Sequence, residues 1–362
     1  MEQVGLIGQP NVGKSSLFNA LTNYNSPVAP HPYTTTSSIK AAAEVPDSRL
    51  DALAHMSSSK KIVYTSVEVV DIAGLSPGAN AGEGLGNKFL AQVREVDALG
   101  MVLRSFENDT IVGSSDIASQ FAELEMELVL ADLSTVETQI ERRKKAAKNP
   151  AKNDLATKNL LEGLEAVLPL LSDGVPVYKS KLDHETRVNL KEAFLLTNKP
   201  IFVVINISED QIGSETNLID EIRDQLPSEV DPVAVCVQLE AEAAQLDPNE
   251  KLEMLEGLGL GEGVLQRIAQ VAHEILNLNT FFTTGDKESR AWTFKKGSTV
   301  PVCAGVIHSD LQRGFIKAEV IDYESLLNIG SWHKAKVEGK VRLEGKEYVV
   351  KDGDVMEIRF NV

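Results

Sequence analysis

Residues Gly8-Gln9-Pro10-Asn11-Val12-Gly13-Lys14-Ser15 place two glycines, a lysine and a hydroxyl at the spacing of a phosphate-binding loop. The glycines let successive backbone N–H groups turn inward around an anion without Cβ collisions. Lys14 is positioned to reach the β- and γ-phosphates of a nucleoside triphosphate, and the Ser15 hydroxyl to ligate Mg²⁺. Ser16 opens a helix-like stretch to Leu21 whose positive end faces the anion, and the apolar run Val4 to Ile7 supplies the strand that must precede such a loop. Asn11, Val12, Gly13, Lys14, Ser15 and Ser16 are therefore the first candidate nucleotide contacts.

A second apolar run, Val67 to Val70, leads into Asp71-Ile72-Ala73-Gly74. In a triphosphate site this pattern lets Asp71 hold Mg²⁺ through water and the Gly74 N–H bind the γ-phosphate, so the segment senses whether that phosphate is present. Thr34, Thr35 and Thr36 lie between the two motifs. Thr35 is the residue expected to offer a hydroxyl to Mg²⁺ and an N–H to the γ-phosphate. Lys14, Thr35 and Gly74 thus make up the candidate catalytic set, and Ser15, Thr35 and Asp71 the metal set.

A third run, Ile201 to Ile205, ends in Asn206-Ile207-Ser208-Glu209, where a guanine-specific enzyme carries Asn-Lys-x-Asp. The aspartate of that pattern accepts two hydrogen bonds from guanine while the lysine stem covers the base. Here Glu209 is one methylene longer and Ile207 replaces the lysine, so two short hydrogen bonds to guanine cannot be kept without rearrangement and guanine selectivity is expected to weaken. Cys236, near the end of the run Val233 to Val237, joins Asn206, Ile207 and Glu209 as a base-side candidate.

These motifs need a scaffold. The runs at Val4, Val67, Leu99 to Leu103, Ile201 and Val233 alternate with helical patterns, which predicts an α/β fold with a mostly parallel sheet and its nucleotide loops at the carboxyl ends of strands. Between Ala118 and Lys199 the strand signal vanishes. Phe121, Leu124, Leu128 and Ala131, then Leu133, Val136 and Ile140, fall at helical spacing, and Leu155, Leu161, Leu164 and Leu168 mark a second helix beyond Asn149-Pro150. This predicts an antiparallel helical hairpin inserted into the sheet domain at about 118–199, with the basic run Arg142-Arg143-Lys144-Lys145 at its tip. From residue 278 short strands dominate: Thr293-Phe294, Val300 to Val302, Phe315 to Val320, Lys340 to Leu343 and Met356 to Phe360. The expected division is a nucleotide domain over 1–277 and a compact β domain over 278–362. His308 and His333 in the latter have no triad or metal partners in the pattern and read as structural.

The 362 residues carry 36 Lys and Arg against 53 Asp and Glu, a formal charge of −17. Residues 278–362 hold 13 basic and 12 acidic side chains, leaving 23 against 41 for the rest, so the acidity belongs to the first three-quarters of the chain. Long-range repulsion disfavours general nucleic-acid binding while leaving the Arg142 to Lys145 run as a local RNA contact or a solvated helix end. No segment approaches the ~18 uninterrupted apolar residues of a membrane helix, and no signal-like region precedes the first strand. Two scattered cysteines, Cys236 and Cys303, make neither a disulfide framework nor a zinc site. A soluble, cytoplasmic protein with no membrane partner is expected.

Taken together, the phosphate loop at Gly8 to Ser15, Pro-Asp-x-Arg-Leu-Asp at Pro46 to Asp51, Asp71 to Leu75, Gly82 to Leu90, Asn206 to Glu209, Arg290-Ala291-Trp292-Thr293 and the terminal Arg359 to Val362 resemble the YchF family of Obg-related, translation-factor-related P-loop ATPases. The resemblance runs over nearly the whole chain. It implies a G domain with an inserted helical hairpin, a C-terminal β-grasp (ubiquitin-like) TGS domain, preference for ATP over GTP, and association with a ribosome, a ribosomal subunit or RNA. In related loops an asparagine at the place of Asn11 helps hold K⁺ between the phosphates, which makes K⁺ a second candidate cofactor beside Mg²⁺. Two residues bear on turnover. Leu75 stands where Ras-like enzymes place a water-orienting glutamine, and Gly113 where family members carry a histidine. Thr34 occupies the place of a family cysteine linked to redox control. Slow intrinsic hydrolysis follows, and three readings stay open: an ATP-hydrolysing switch, a GTPase switch of the same fold, and a nucleotide-gated ribosome- or RNA-binding protein whose hydrolysis is incidental.

Overall fold

The structure, a computed structural model, describes residues 2–24, 38–72, 85–107, 114–146, 155–228, 230–261 and 263–361. Thr34, Thr35, Thr36, Gly74, Leu75 and Gly113 fall outside these residues. The chain divides into two compact units, 1–41 with 68–268 and 42–67 with 269–362.

The first unit is built on a sheet of β1 (Gln3–Ile7), β2 (Ile39–Val45), β4 (Thr65–Asp71), β5 (Ala98–Arg104), β6 (Ile201–Asn206) and β7 (Val233–Val235), with β3 (Ile62–Val63) belonging to the other sheet. Its order is β2-β4-β1-β5-β6-β7. β1 runs parallel to both β4 and β5, β5 to β6, and β6 to β7. Every residue of β5 is buried, as a parallel strand covered on both faces requires, which is why it reads in sequence as an unbroken apolar run. A Cβ at Gly100 in β5 would lie 2.6 Å from the Phe202 ring, so glycine there admits the β6 side chain into the core. The carboxyl ends of β1, β4 and β6 carry the phosphate loop, the Asp71 segment and the Asn206 segment respectively.

Two long helices, Ile117–Ala146 and Leu155–Ser172, share an apolar core of Val129, Val136, Ile140, Leu160, Leu164 and Val167. Leu155, expected in this seam, is 73% exposed and sits at the first turn of its helix, outside the packed stripe. The long helix is tied to the approach to β6 by Asp132. Its buried carboxylate accepts the Leu196 and Thr197 N–H groups at 2.8 Å and the Thr197 hydroxyl at 2.7 Å. Burial pushes this carboxyl above the ordinary aspartate range while those three hydrogen bonds oppose the shift.

The second unit contains β3, β8 (Leu278–Thr283), β9 (Ser289–Lys295), β10 (Phe315–Asp322), β11 (Arg342–Glu344) and β12 (Asp354–Phe360), in the order β11-β10-β12-β8-β9-β3. β8 pairs antiparallel with β9, β10 antiparallel with β11 and β12, and β12 parallel with β8. The expected strand at Val300 to Val302 is instead the start of the helix Val300–Ile307. Pro301 suits a first helical turn, where its missing N–H has no partner to lose, and Val300, Cys303 and Ala304 fall on one buried face against Phe281, Phe294 and Val320. The unit begins at 269 and takes in 42–67, because the helix Ser48–Met56 buries Leu50 and Leu53 against Phe282, Ile321 and Val355, and β3 pairs with β9.

Candidate nucleotide-binding site

The phosphate loop connects β1 to the helix Lys14–Thr22. Gly13 caps that helix in the left-handed region at φ 99°, and a Cβ there would lie 2.4 Å from the Asn206 side-chain nitrogen, so both backbone and space demand glycine. At Gly8 a Cβ would come within 2.5 Å of the Val102 carbonyl oxygen of β5. Asn11 also adopts a left-handed φ of 61°, a conformation that asparagine tolerates better than most residues.

Lys14 is 6% exposed, and its ammonium donates to the carbonyl oxygens of Gly8 at 3.1 Å and Gln9 at 2.7 Å. Burial holds its pKa down to about 8, with the nearby Asp71 charge pulling the other way. The Ser15 hydroxyl donates to Asp71 Oδ2 at 2.6 Å. Asp71 is fully buried, and its Oδ1 has no hydrogen-bond partner among the described residues. Burial raises this carboxyl, against the Ser15 hydrogen bond and the Lys14 charge. An orphaned carboxylate oxygen beside a hydroxyl is the hard-oxygen donor set that suits Mg²⁺. These residues fit the ion.

Asn206 joins the base-side strand to the loop. Its amide nitrogen donates to the Val12 carbonyl at 3.0 Å, and its side-chain oxygen accepts the Val237 N–H at 3.2 Å. Val12 is buried, and Ser16 lies half-buried on the helix. Ile207 is buried and donates its N–H to the Val235 carbonyl at 3.0 Å, which fixes the end of β6 to β7. Glu209 stands exposed at the start of a short turn whose Ser208 and Gln211 cap each other reciprocally. Cys236 is buried at the N-cap of the helix Val237–Ala243, and burial foremost, with the Glu209 charge among the lesser contributions, pushes its thiol pKa up. The loop residues, Asp71, Asn206 and Cys236 thus come together at one end of the sheet. Thr35 and Gly74 lie outside the described residues.

Three positioning side chains were not singled out in the sequence. Gln9 in the loop donates to Glu123 of the long helix at 2.6 Å. Gln120 from the same helix accepts the Arg104 N–H at 3.0 Å and donates to its carbonyl at 2.6 Å, closing the end of β5. Gln211 does the same for Ser105, accepting its hydroxyl at 2.8 Å and donating to its carbonyl at 3.1 Å. Polar residues in helices and turns carry no pattern that reveals a distant partner, so sequence periodicity is silent on all three.

A parallel sheet with a lysine-bearing loop on β1, a buried aspartate at the end of β4 and an asparagine linking β6 to the loop defines a P-loop nucleotide-binding fold. The family model described as 50S ribosome-binding GTPase matches residues 3–136, and the one described as YchF-GTPase_C, protein of unknown function, matches 278–361. The chain belongs to the YchF family: it is 45% identical to the ribosome-binding ATPase YchF of Haemophilus influenzae over 99% of both chains. The protein of the same name from Bacillus subtilis is 43% identical, again over 99% of both. Among solved structures, the Schizosaccharomyces pombe YchF GTPase superposes with a TM-score of 0.85 at 31% identity, covering 99% of this chain and 97% of that one. The bacterial relatives are thus named for ATP and the yeast structure for GTP.

Proposed function

We propose that this chain is a nucleotide-dependent switch that binds and hydrolyses ATP and engages the ribosome according to the state of the γ-phosphate. The observation that carries the reading is the junction of Lys14, Ser15, Asp71 and Asn206 at the strand ends, in a chain whose relatives along its full length are named ribosome-binding ATPases. Lys14 exchanges its bonds to the Gly8 and Gln9 carbonyls for phosphate oxygens. Ser15 and Asp71, with Thr35, hold Mg²⁺, which supplies charge stabilisation for phosphoryl transfer. Asn11 is the candidate contact for K⁺. The Gly13 to Ser16 amides receive the phosphates, while Asn206, Ile207, Glu209 and Cys236 border the base. Glu209 and Ile207 in place of the aspartate and lysine of guanine sites support ATP over GTP. The GTP reading keeps support from the yeast relative's name.

Hydrolysis is slow in this reading, because Leu75 does not orient water and Gly113 offers no imidazole. The paired long helices serve as an inserted hairpin and the strands beyond residue 278 as a TGS domain, both facing ribosomal RNA or protein. No described helix is long and apolar enough to cross a membrane, in keeping with a cytoplasmic site of action. Co-sedimentation of the full chain with ribosomal subunits tests the switch. Affinity should differ by about fivefold or more between a non-hydrolysable ATP analogue and ADP, since coupling free energies of this size are ordinary. Equal affinity in the two states refutes it.

A further inference from the structure

Phe194 carries an aromatic ring at a backbone position that favours glycine or asparagine. It ends the short turn Leu190–Ala193 in the left-handed region, at φ 54°, and the residue is 63% exposed. A bulky side chain in that region is strained. The turn is fixed on both flanks: Leu190, Ala193 and Leu195 are buried in the core that the two long helices share, and Asp132 holds the Leu196 and Thr197 N–H groups. The ring is therefore presented to solvent on a rigid mount.

Its surroundings are cationic. Residues 142–199 carry 12 basic against 7 acidic side chains, in a chain whose net charge is −17. Gln139 ties the Phe194 turn to the basic end of the first long helix, because its nitrogen donates to the Ala193 carbonyl at 3.1 Å while its oxygen accepts Arg143 Nη2 at 3.5 Å. Lys144 is bridged to Glu165 and Lys145 to Glu141, whereas Arg142, Arg143 and Lys191 have no carboxylate partner among the described residues. Arg143 Nε is buried and has no hydrogen-bond partner among the described residues, a donor that the protein itself does not satisfy. Lys191 stands exposed in the Phe194 turn, where its carbonyl accepts the Phe194 N–H at 3.2 Å, and exposed Glu192 is the one acidic group of that turn.

We propose that Phe194, with Arg142, Arg143 and Lys191, is a contact site for single-stranded RNA, in which an unpaired base stacks on the ring and the cations meet the flanking phosphates. The inference deepens the reading of the chain as a ribosome-engaging switch, and it rests on that reading. An exposed ring beside uncompensated cations suits a strand whose base faces are free, whereas a duplex keeps its base faces covered. An apolar protein partner accounts for the ring but leaves the three cations without a counter-charge.

The probe is a fluorescent oligouridylate of about twelve nucleotides, titrated with the full chain and followed by anisotropy. No ribosome or ATP is present, so a failure here leaves the switch reading to be judged by co-sedimentation. We expect saturable binding that weakens with salt, about tenfold weaker in Phe194→Gly and restored in Phe194→Trp. Glycine takes the left-handed conformation without strain, so Phe194→Gly should keep the parent's melting temperature and ATP turnover. Phe194→Asn, which also tolerates this conformation, gives a second ring-free variant. Lys191→Gln should lower affinity at low salt and flatten the log–log salt dependence by about 0.7. Unchanged affinity in both ring-free variants overturns the proposal. So does the lack of saturable binding at about 100 μM chain in low salt, or a duplex of equal length binding as tightly. Weaker co-sedimentation of Phe194→Gly with ribosomal subunits, when the parent binds no oligouridylate, also overturns it and makes the ring a protein contact.

Discussion

Lys14→Ala is expected to lower ATP affinity by about tenfold to a hundredfold, the loss that follows removal of charge-assisted hydrogen bonds to phosphate. Turnover should fall further, by about 10²–10³, because the ammonium also meets charge that develops on the transferred group. Unfolding does not confound this result. In the free protein Lys14 is a buried cation resting on two carbonyl oxygens, and its removal relieves a desolvation cost. A pH titration gives the same residue a second signature. With the folded pKa held down to about 8 and an ordinary value of 10.5, the unfolded chain binds more protons between those values, so stability rises with pH across that window. Phosphate binding favours the charged ammonium, so above pH 8 the protein must take up a proton to bind ATP. Affinity should fall by up to about tenfold for each further pH unit, and the fall should vanish in Lys14→Ala. Affinity that is flat from pH 7 to pH 9 in the parent chain would contradict the assignment.

Asp71→Asn is the second large effect. The parent carboxylate is fully buried with one oxygen on Ser15 and the other without a partner among the described residues, a costly arrangement unless a cation completes it. Replacing it by an amide removes the charge and keeps the shape. Mg²⁺-dependent turnover should drop by about 10²–10³ at fixed metal concentration, while ATP binding measured in EDTA changes little. Folding should be unharmed or improved, since burial raises the Asp71 pKa and the charged form is therefore disfavoured in the native state. An unchanged magnesium dependence would remove Asp71 from the metal site.

The parallel sheet was legible because its central strands are covered on both faces, so β1, β5 and β6 appear as continuous apolar runs with the motif residues at their ends. The candidate loop, Asp71 and Asn206 were legible for the same reason, since each follows its strand directly. What the sequence conceals is pairing at a distance. Nothing local in Ser48–Met56 shows that Leu50 and Leu53 pack against Phe282 and Val355, so the residues 42–67 read as part of the nucleotide domain. Val300 to Val302 misled because β-branched residues at the start of a buried helix mimic a strand, and only the spacing of Cys303 and Ala304 corrects it. The role of Asn206 also widened: its side chain bridges Val12 and Val237 within the protein, a use that the base-recognition pattern alone does not predict.

Side-by-side calorimetry of Mg-ATP and Mg-GTP on the full chain is the most direct test of the proposed ATP preference, because the exposed Glu209 and the buried Ile207 stand where guanine-specific enzymes carry an aspartate and a lysine. ATP should bind tighter by about tenfold or more, the penalty for a guanine edge left without its paired acceptors. Equal affinities, or tighter binding of GTP, would contradict the account.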